Sequence, residues 1–158
     1  MDVAKLGPIK GCYLFKGMTD AEIYTLAGLF SEKHIDEGLT VFHEHMPGES
    51  LFLIREGVVR ISKMLSEGEE KTLVILGPED VFGEMALIDG GPRAATARVV
   101  EKVRLLCLRR AEFEGLCEQN PRLGLRFLTN IVRVFSAKVR GNDSDYRAML
   151  RWSLGPPA

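Results

Sequence analysis

The residues best suited to chemistry stand together in the run Phe82-Gly83-Glu84-Met85-Ala86-Leu87-Ile88-Asp89-Gly90-Gly91-Pro92-Arg93-Ala94-Ala95-Thr96-Ala97. Small residues flank a short apolar turn of helix over 85–88. Gly83 lets a bound group come close to the backbone and leaves amides near a helix start, where anions bind well. Gly90-Gly91-Pro92 turns the chain back, and Arg93-Ala94-Ala95 opens the next strand. An arginine between small residues can aim its guanidinium at a phosphate, with free amides beside it. Glu84 would repel that phosphate, so its carboxylate suits the hydroxyls of a sugar, or a pairing with Arg93. A phosphate next to a ribose hydroxyl outlines a nucleotide.

Three kinds of element must position this run. Thr19-Asp20-Ala21-Glu22 has the pattern of a capping box, and Ile23, Leu26, Ala27 and Phe30 follow at helical spacing, which predicts a short helix from 19 to about 30. From Lys33 to Arg109 the period changes to short β-rich runs at 34–35, 40–42, 50–55, 58–63, 72–76, 96–100 and 103–108. Turn residues separate them: Gly38, Pro47-Gly48, Gly57, Gly68 and Gly77-Pro78. Such spacing predicts an antiparallel sandwich, barrel or roll. Gly57 stands where two runs almost touch, so a positive φ is expected there.

Helical spacing returns near Arg110. A short helix is predicted over 111–118, and Asn120-Pro121 reads as the N-cap and first residue of a long one. Leu125, Leu128, Val132, Phe135 and Val139 recur at alternating steps of three and four, the spacing of a heptad seam. The same steps run on through Asn142, Tyr146 and Met149, although Gly141-Asn142-Asp143 weakens the helix there. A second stripe runs through Leu123, Phe127, Ile131 and Val134. One helix with two apolar stripes must cover two surfaces. The expected covers are the roll on one side and a second copy of the chain on the other, giving a homodimer.

Composition bounds the rest. The chain has 158 residues, 46% hydrophobic and 27% charged, which fits one globular domain and excludes disordered and fibrous classes. A net charge of -1 gives no polyelectrolyte character. After Pro121 the basic residues are Arg122, Arg126, Arg133, Lys138, Arg140, Arg147 and Arg151, against Asp143 and Asp145 alone, and they read as a solvated helix face. Cys12, Cys107 and Cys117 form neither a disulfide framework nor a zinc pattern, and Cys107 reads as core. No run reaches the ~18 apolar residues of a membrane span. Asp2, Lys5, Gly7 and Pro8 break any leader-like apolar stretch, so a cytoplasmic location is expected. His43-Glu44-His45 reads as a solvated strand end and no metal is expected.

The run from Phe82 to Ala97 resembles the phosphate-binding cassette of cyclic nucleotide-binding domains, above all that of the regulatory subunits of cyclic-AMP-dependent protein kinase. The resemblance extends from about Leu14 to Lys138 and takes in Gly38, Gly48, the stretch 50–57 and the Gly77-Pro78-Glu79-Asp80 turn. It implies a mainly β fold: an eight-stranded antiparallel β-roll over 33–110 with the cassette at 82–97, an N-terminal helical segment over about 12–32, and C-terminal helices over 111–152, all one domain. It implies that Arg93 pairs the exocyclic oxygens of the cyclic phosphate. Glu84 takes the ribose 2′-hydroxyl, Gly83, Ala94 and Ala95 offer amides, and Phe82, Met85 and Ala86 complete the cassette. Ile61 and Leu73 form the apolar wall of the base pocket. A threonine or serine after the arginine goes with cyclic GMP in this family, and Ala94 therefore favours cyclic AMP, with cyclic GMP as the lesser ligand. Thr96 shares a strand face with Ala94 and can contribute indirectly. The residue covering the base is expected from Lys138, Asn142, Tyr146 or Trp152. The iron–sulfur oxygen sensors of the family are excluded, because Cys12 stands alone in the N-terminal part.

The expected function is a non-enzymatic sensor that moves its C-terminal helix and acts on a partner protein the sequence does not name. Two rivals stand beside it. One is the sensor part of a longer catabolite-activator-like transcription regulator, whose helix-turn-helix has no room within these residues, so DNA binding is not expected of this chain. The other is a dimerising scaffold that binds nothing, with Glu84 and Arg93 as a structural ion pair.

Overall fold

The structure is a computed structural model that describes residue 7 and residues 10–66 and 68–141. A 3-10 turn at Tyr13–Phe15 leads to α1 (Asp20–Ala27), then β1 (Ser31–Ile35), β2 (Thr40–Phe42), β3 (Ser50–Ser66), β4 (Glu69–Leu76) and β5 (Val81–Phe82). The cassette helix α2 (Glu84–Asp89) precedes β6 (Thr96–Arg109), α3 (Arg110–Gln119) and α4 (Pro121–Gly141). The sheet runs β1-β6-β3-β4, with β2 on β6 and β5 on β3, and every pairing is antiparallel. The fold class is the mainly β, helix-flanked one the sequence implies.

The described residues hold six strands where eight were expected, because neighbouring runs fuse. The runs 50–55 and 58–63 form the single strand β3, and 96–100 with 103–108 form β6. Gly57 takes a φ of +93° and a Cβ there would stand 2.2 Å from the Lys102 carbonyl oxygen. The positive φ is thus as expected, but it makes a bulge and not a hairpin. The β3–β6 register shifts around residues 54–59, so both strands bend together without ending.

Alternation along these strands fills two cores. Leu51 and Leu53 of β3, with Leu106 and Leu108 of β6, face the helices and pack with Leu26 and Phe127. Phe52, Ile54, Leu105 and Cys107 face the roll interior. Both faces being buried explains why 51–54 and 105–108 read as continuous apolar runs. On α4 the Leu123, Phe127 and Ile131 stripe is buried in the first core, while Leu125, Val132 and Phe135 are exposed. Asn120 caps α4 as expected, its side-chain oxygen accepting from the Leu123 amide at 3.2 Å.

A cavity between the cassette and the last helix

The roll opens into a cavity of about 540 Å³ beside α2 and α4. All ten residues singled out in the sequence line it: Phe82, Gly83, Glu84, Met85, Ala86, Arg93, Ala94, Ala95, Ile61 and Leu73. Gly83 caps α2 in the left-handed region (φ 76°), and Gly90 closes the helix likewise (φ 65°). A Cβ on Gly83 would lie 2.7 Å from Arg93 Nη1 and 3.0 Å from the Ser50 carbonyl oxygen, so the position has no room for a side chain.

Arg93 is only 6% exposed. Its Nη1 donates to the Gly83 carbonyl oxygen at 3.2 Å, while its buried Nε has no hydrogen-bond partner. Its guanidinium lies 4.1 Å from the centroid of the Phe42 ring and 5.6 Å from that of Phe52. Phe42, Phe52 and Phe82 cluster below it, with centroids 5.2 to 5.9 Å apart. Burial pulls the guanidinium below its ordinary pKa, with Cys107, Glu49 and Glu84 acting in the opposite sense. An arginine remains charged in proteins. A buried cation with an idle donor is a poor structural element, because an unsatisfied buried group costs about 1–3 kcal/mol. It is a good receptor for an anion.

Glu84 is 8% exposed and does not pair with Arg93. Its Oε1 accepts from Lys138 Nζ at 3.1 Å, and the same ammonium donates to the Val81 carbonyl oxygen. Lys138, one of the four candidates for covering the base, lines the cavity and ties α4 to the carboxylate of the cassette. The other three cover candidates, Asn142, Tyr146 and Trp152, lie outside the described residues.

Thr96 does not line the cavity. Its Oγ1 accepts the Glu44 amide at 2.9 Å and fastens the turn after β2 to the start of β6. Phe42, Val74, Leu76, Asp89, Phe135 and Val139 line the cavity and were not singled out for it. For Val74 the reason is a bulge: the β3–β4 register shifts between Ile61 and Ser62, which pair with Val74 and Thr72. Leu73, between them, is left out of the pairing, and adjacent residues both reach the cavity. Phe135 and Val139 were assigned to the heptad seam, and they carry a second duty here. Among the described residues no three His, Cys, Asp or Glu side chains gather as a metal would need.

Comparison with known proteins places this geometry. Residues 32–120 match the profile of the cyclic nucleotide-binding domain. The chain is 35% identical over 113 residues to the cyclic AMP receptor protein of Thermus thermophilus, covering 72% of this chain and 52% of that protein. The crystal structure of Thermus thermophilus catabolite activator protein superposes with a TM-score of 0.76 at 30% identity, over 87% of this chain and 62% of that one. The regulatory domain of Toxoplasma gondii PKA, solved with cyclic AMP, gives a TM-score of 0.64 at 30% identity, over 73% and 45% of the two chains. The chain spans about half the length of the first curated relatives it matches.

Proposed function

The chain belongs to the cyclic nucleotide-binding domain family, and we propose that it is a sensor that binds cyclic AMP in preference to cyclic GMP and does not turn it over. The observation that carries this is Arg93: a buried guanidinium that lines the cavity, its Nε without a hydrogen-bond partner, nine residues after a buried carboxylate at Glu84. Arg93 takes the cyclic phosphate and Glu84 the ribose hydroxyl. The Ala94 and Ala95 amides join the phosphate, and Ile61 and Leu73 enclose the base. Ala94 offers guanine no hydrogen bond, and Thr96, whose hydroxyl accepts the Glu44 amide, is not among the residues lining the cavity, so the preference rests on Ala94. Relatives solved with or named for cyclic AMP support the same ligand.

The output is read through α4. Lys138 holds that helix against Glu84, so a ribose hydroxyl arriving at Glu84 competes for the carboxylate that anchors the helix. The exposed seam of Leu125 (65%) and Phe135 (43%) is proposed to pair with a second copy. Glutamate at both positions is expected to leave a monomer by sedimentation; a wild type already monomeric would remove the seam. No helix among the described residues is long and apolar enough to cross a membrane, and free thiols at Cys12, Cys107 and Cys117 suit a cytoplasmic setting.

A ligand that binds only the folded state raises its stability. Cyclic AMP at saturation is expected to raise the melting midpoint while 5′-AMP, lacking the cyclic phosphate, does so far less; equal or absent shifts would refute the reading. A second reading has one observation in its favour. Because the chain covers about half of its relative, the same sensor can be the ligand-binding part of a longer transcription regulator. A reading frame that stops at Ala158 would exclude it.

A further inference from the structure

We propose that Gly48 and Phe42 are positioning residues that hold the Arg93 guanidinium in its phosphate-binding pose, an inference that rests on the binding function proposed for the same cavity. Three observations meet at this point. First, a Cβ on Gly48 would stand 2.4 Å from Arg93 Nε and 2.8 Å from both Cδ and Cζ. Those atoms belong to the far part of a buried arginine side chain, so a Cβ at this position is accommodated by displacing the guanidinium. Gly48 has no positive φ. The position therefore needs glycine for space and not for conformation. Second, the Phe42 ring lies 4.1 Å from the guanidinium, within the range of a cation–π contact.

Third, the loop between Phe42 and Gly48 is fastened to Arg93 by its backbone. The His45 amide donates to the Arg93 carbonyl oxygen at 2.8 Å, and the Arg93 amide donates to the Met46 carbonyl oxygen at 2.8 Å. Pro47 bridges Pro92. His45 keeps a φ of 71°, left-handed for a non-glycine residue, to make these bonds. Backbone strain of this kind persists where the surroundings over-determine it. The loop thus fixes where Arg93 begins, and Gly48 and Phe42 fix where it ends. With Nη1 on the Gly83 carbonyl and the buried Nε against Gly48, the guanidinium of this cavity-lining residue is held in one orientation. A phosphate there meets a donor already in place, which spares the ordering cost a free arginine would bear.

The test is Gly48→Ala, with affinities for cyclic AMP and for its two phosphorothioate diastereomers, in which sulfur replaces one exocyclic oxygen or the other. A guanidinium held in one pose must favour one diastereomer. The variant is expected to lose cyclic AMP affinity by about 30-fold, on the order of one charge-assisted hydrogen bond. Its diastereomer preference is expected to collapse toward equality. General loosening of the roll would weaken both diastereomers alike and leave their ratio unchanged. If the alanine variant does not fold, Phe42→Leu keeps the apolar packing, removes the ring, and is expected to compress the same ratio. Wild-type affinity in Gly48→Ala, weaker binding at an unchanged ratio, or a wild type indifferent to the two diastereomers would each overturn the proposal. Absence of any cyclic AMP binding by the wild type would be a different failure, that of the binding function itself.

Discussion

At the scale of single residues Arg93 matters as a fork and not merely as a charge. A guanidinium can present two parallel N–H donors to a phosphate, whereas an ammonium is a point charge on a flexible stem. Arg93→Ala is therefore expected to lower cyclic AMP affinity by about 100-fold or more, and Arg93→Lys to recover only a minor part of it. Full recovery by lysine would show that charge alone matters and would leave the Phe42 contact without a role. The ten cavity residues were legible in the sequence because the cassette is a contiguous run, and Ile61 and Leu73 because the resemblance extends along the roll. Val74 was not legible, since a bulge overrides the alternation that would send it away from Leu73. Nor was the role of Gly48: sequence shows a glycine after a proline, and only the folded chain shows Arg93 Nε in the space its side chain would occupy.

At the scale of elements, α1 and α4 show how local signals set long-range positions. The capping box of α1 formed as its pattern predicts: the Glu22 amide donates to Thr19 Oγ1 at 3.2 Å, and the Thr19 amide donates to Glu22 Oε1 at 3.1 Å. The helix ends at Ala27, earlier than the expected 30, and Phe30 is buried in the core beyond it. Arg126 of α4 donates to both Glu22 oxygens at 3.0 and 3.1 Å, which ties the cap to the last helix. The Thr19 amide, then the Thr19 hydroxyl and Arg126, hold the Glu22 carboxyl below its ordinary pKa of 4.5. A carboxylate lowered by folding stabilises the fold above its unfolded pKa, and that stability is lost as pH falls through the folded value. Glu22→Gln is expected to lower stability at neutral pH and to flatten the acid limb of the stability profile between about pH 5 and pH 3. Chemical denaturation across that range measures it, and an unchanged slope would contradict the assignment. The fused strands were illegible for a related reason. Gly57 has the composition of a turn, and only the partner strand at Lys102 decides that it bulges instead.

At the scale of the whole molecule, the two stripes of α4 divide its labour. Leu123, Phe127 and Ile131 bind the helix to the roll core, which leaves Leu125 and Val132 outward. The heptad spacing revealed the seam, but it could not reveal that Phe135 and Val139 also wall the cavity. Lys138 adds the ionic tie to Glu84. One helix therefore touches the roll, the ligand cavity and the proposed partner copy, and a change at any of these surfaces bears on the others. Energetically, such coupling requires only that the ligand favour one placement of α4 over another. All of it depends on the cavity accepting a cyclic nucleotide. Calorimetric titration of ligand-free protein with cyclic AMP and with cyclic GMP tests this most directly. Saturable one-site binding of cyclic AMP in the micromolar range or tighter is expected, with cyclic GMP weaker by about fivefold, the worth of one hydrogen bond. No heat and no saturation with either nucleotide would contradict it, and would leave Arg93 a buried cation without a counter-ion.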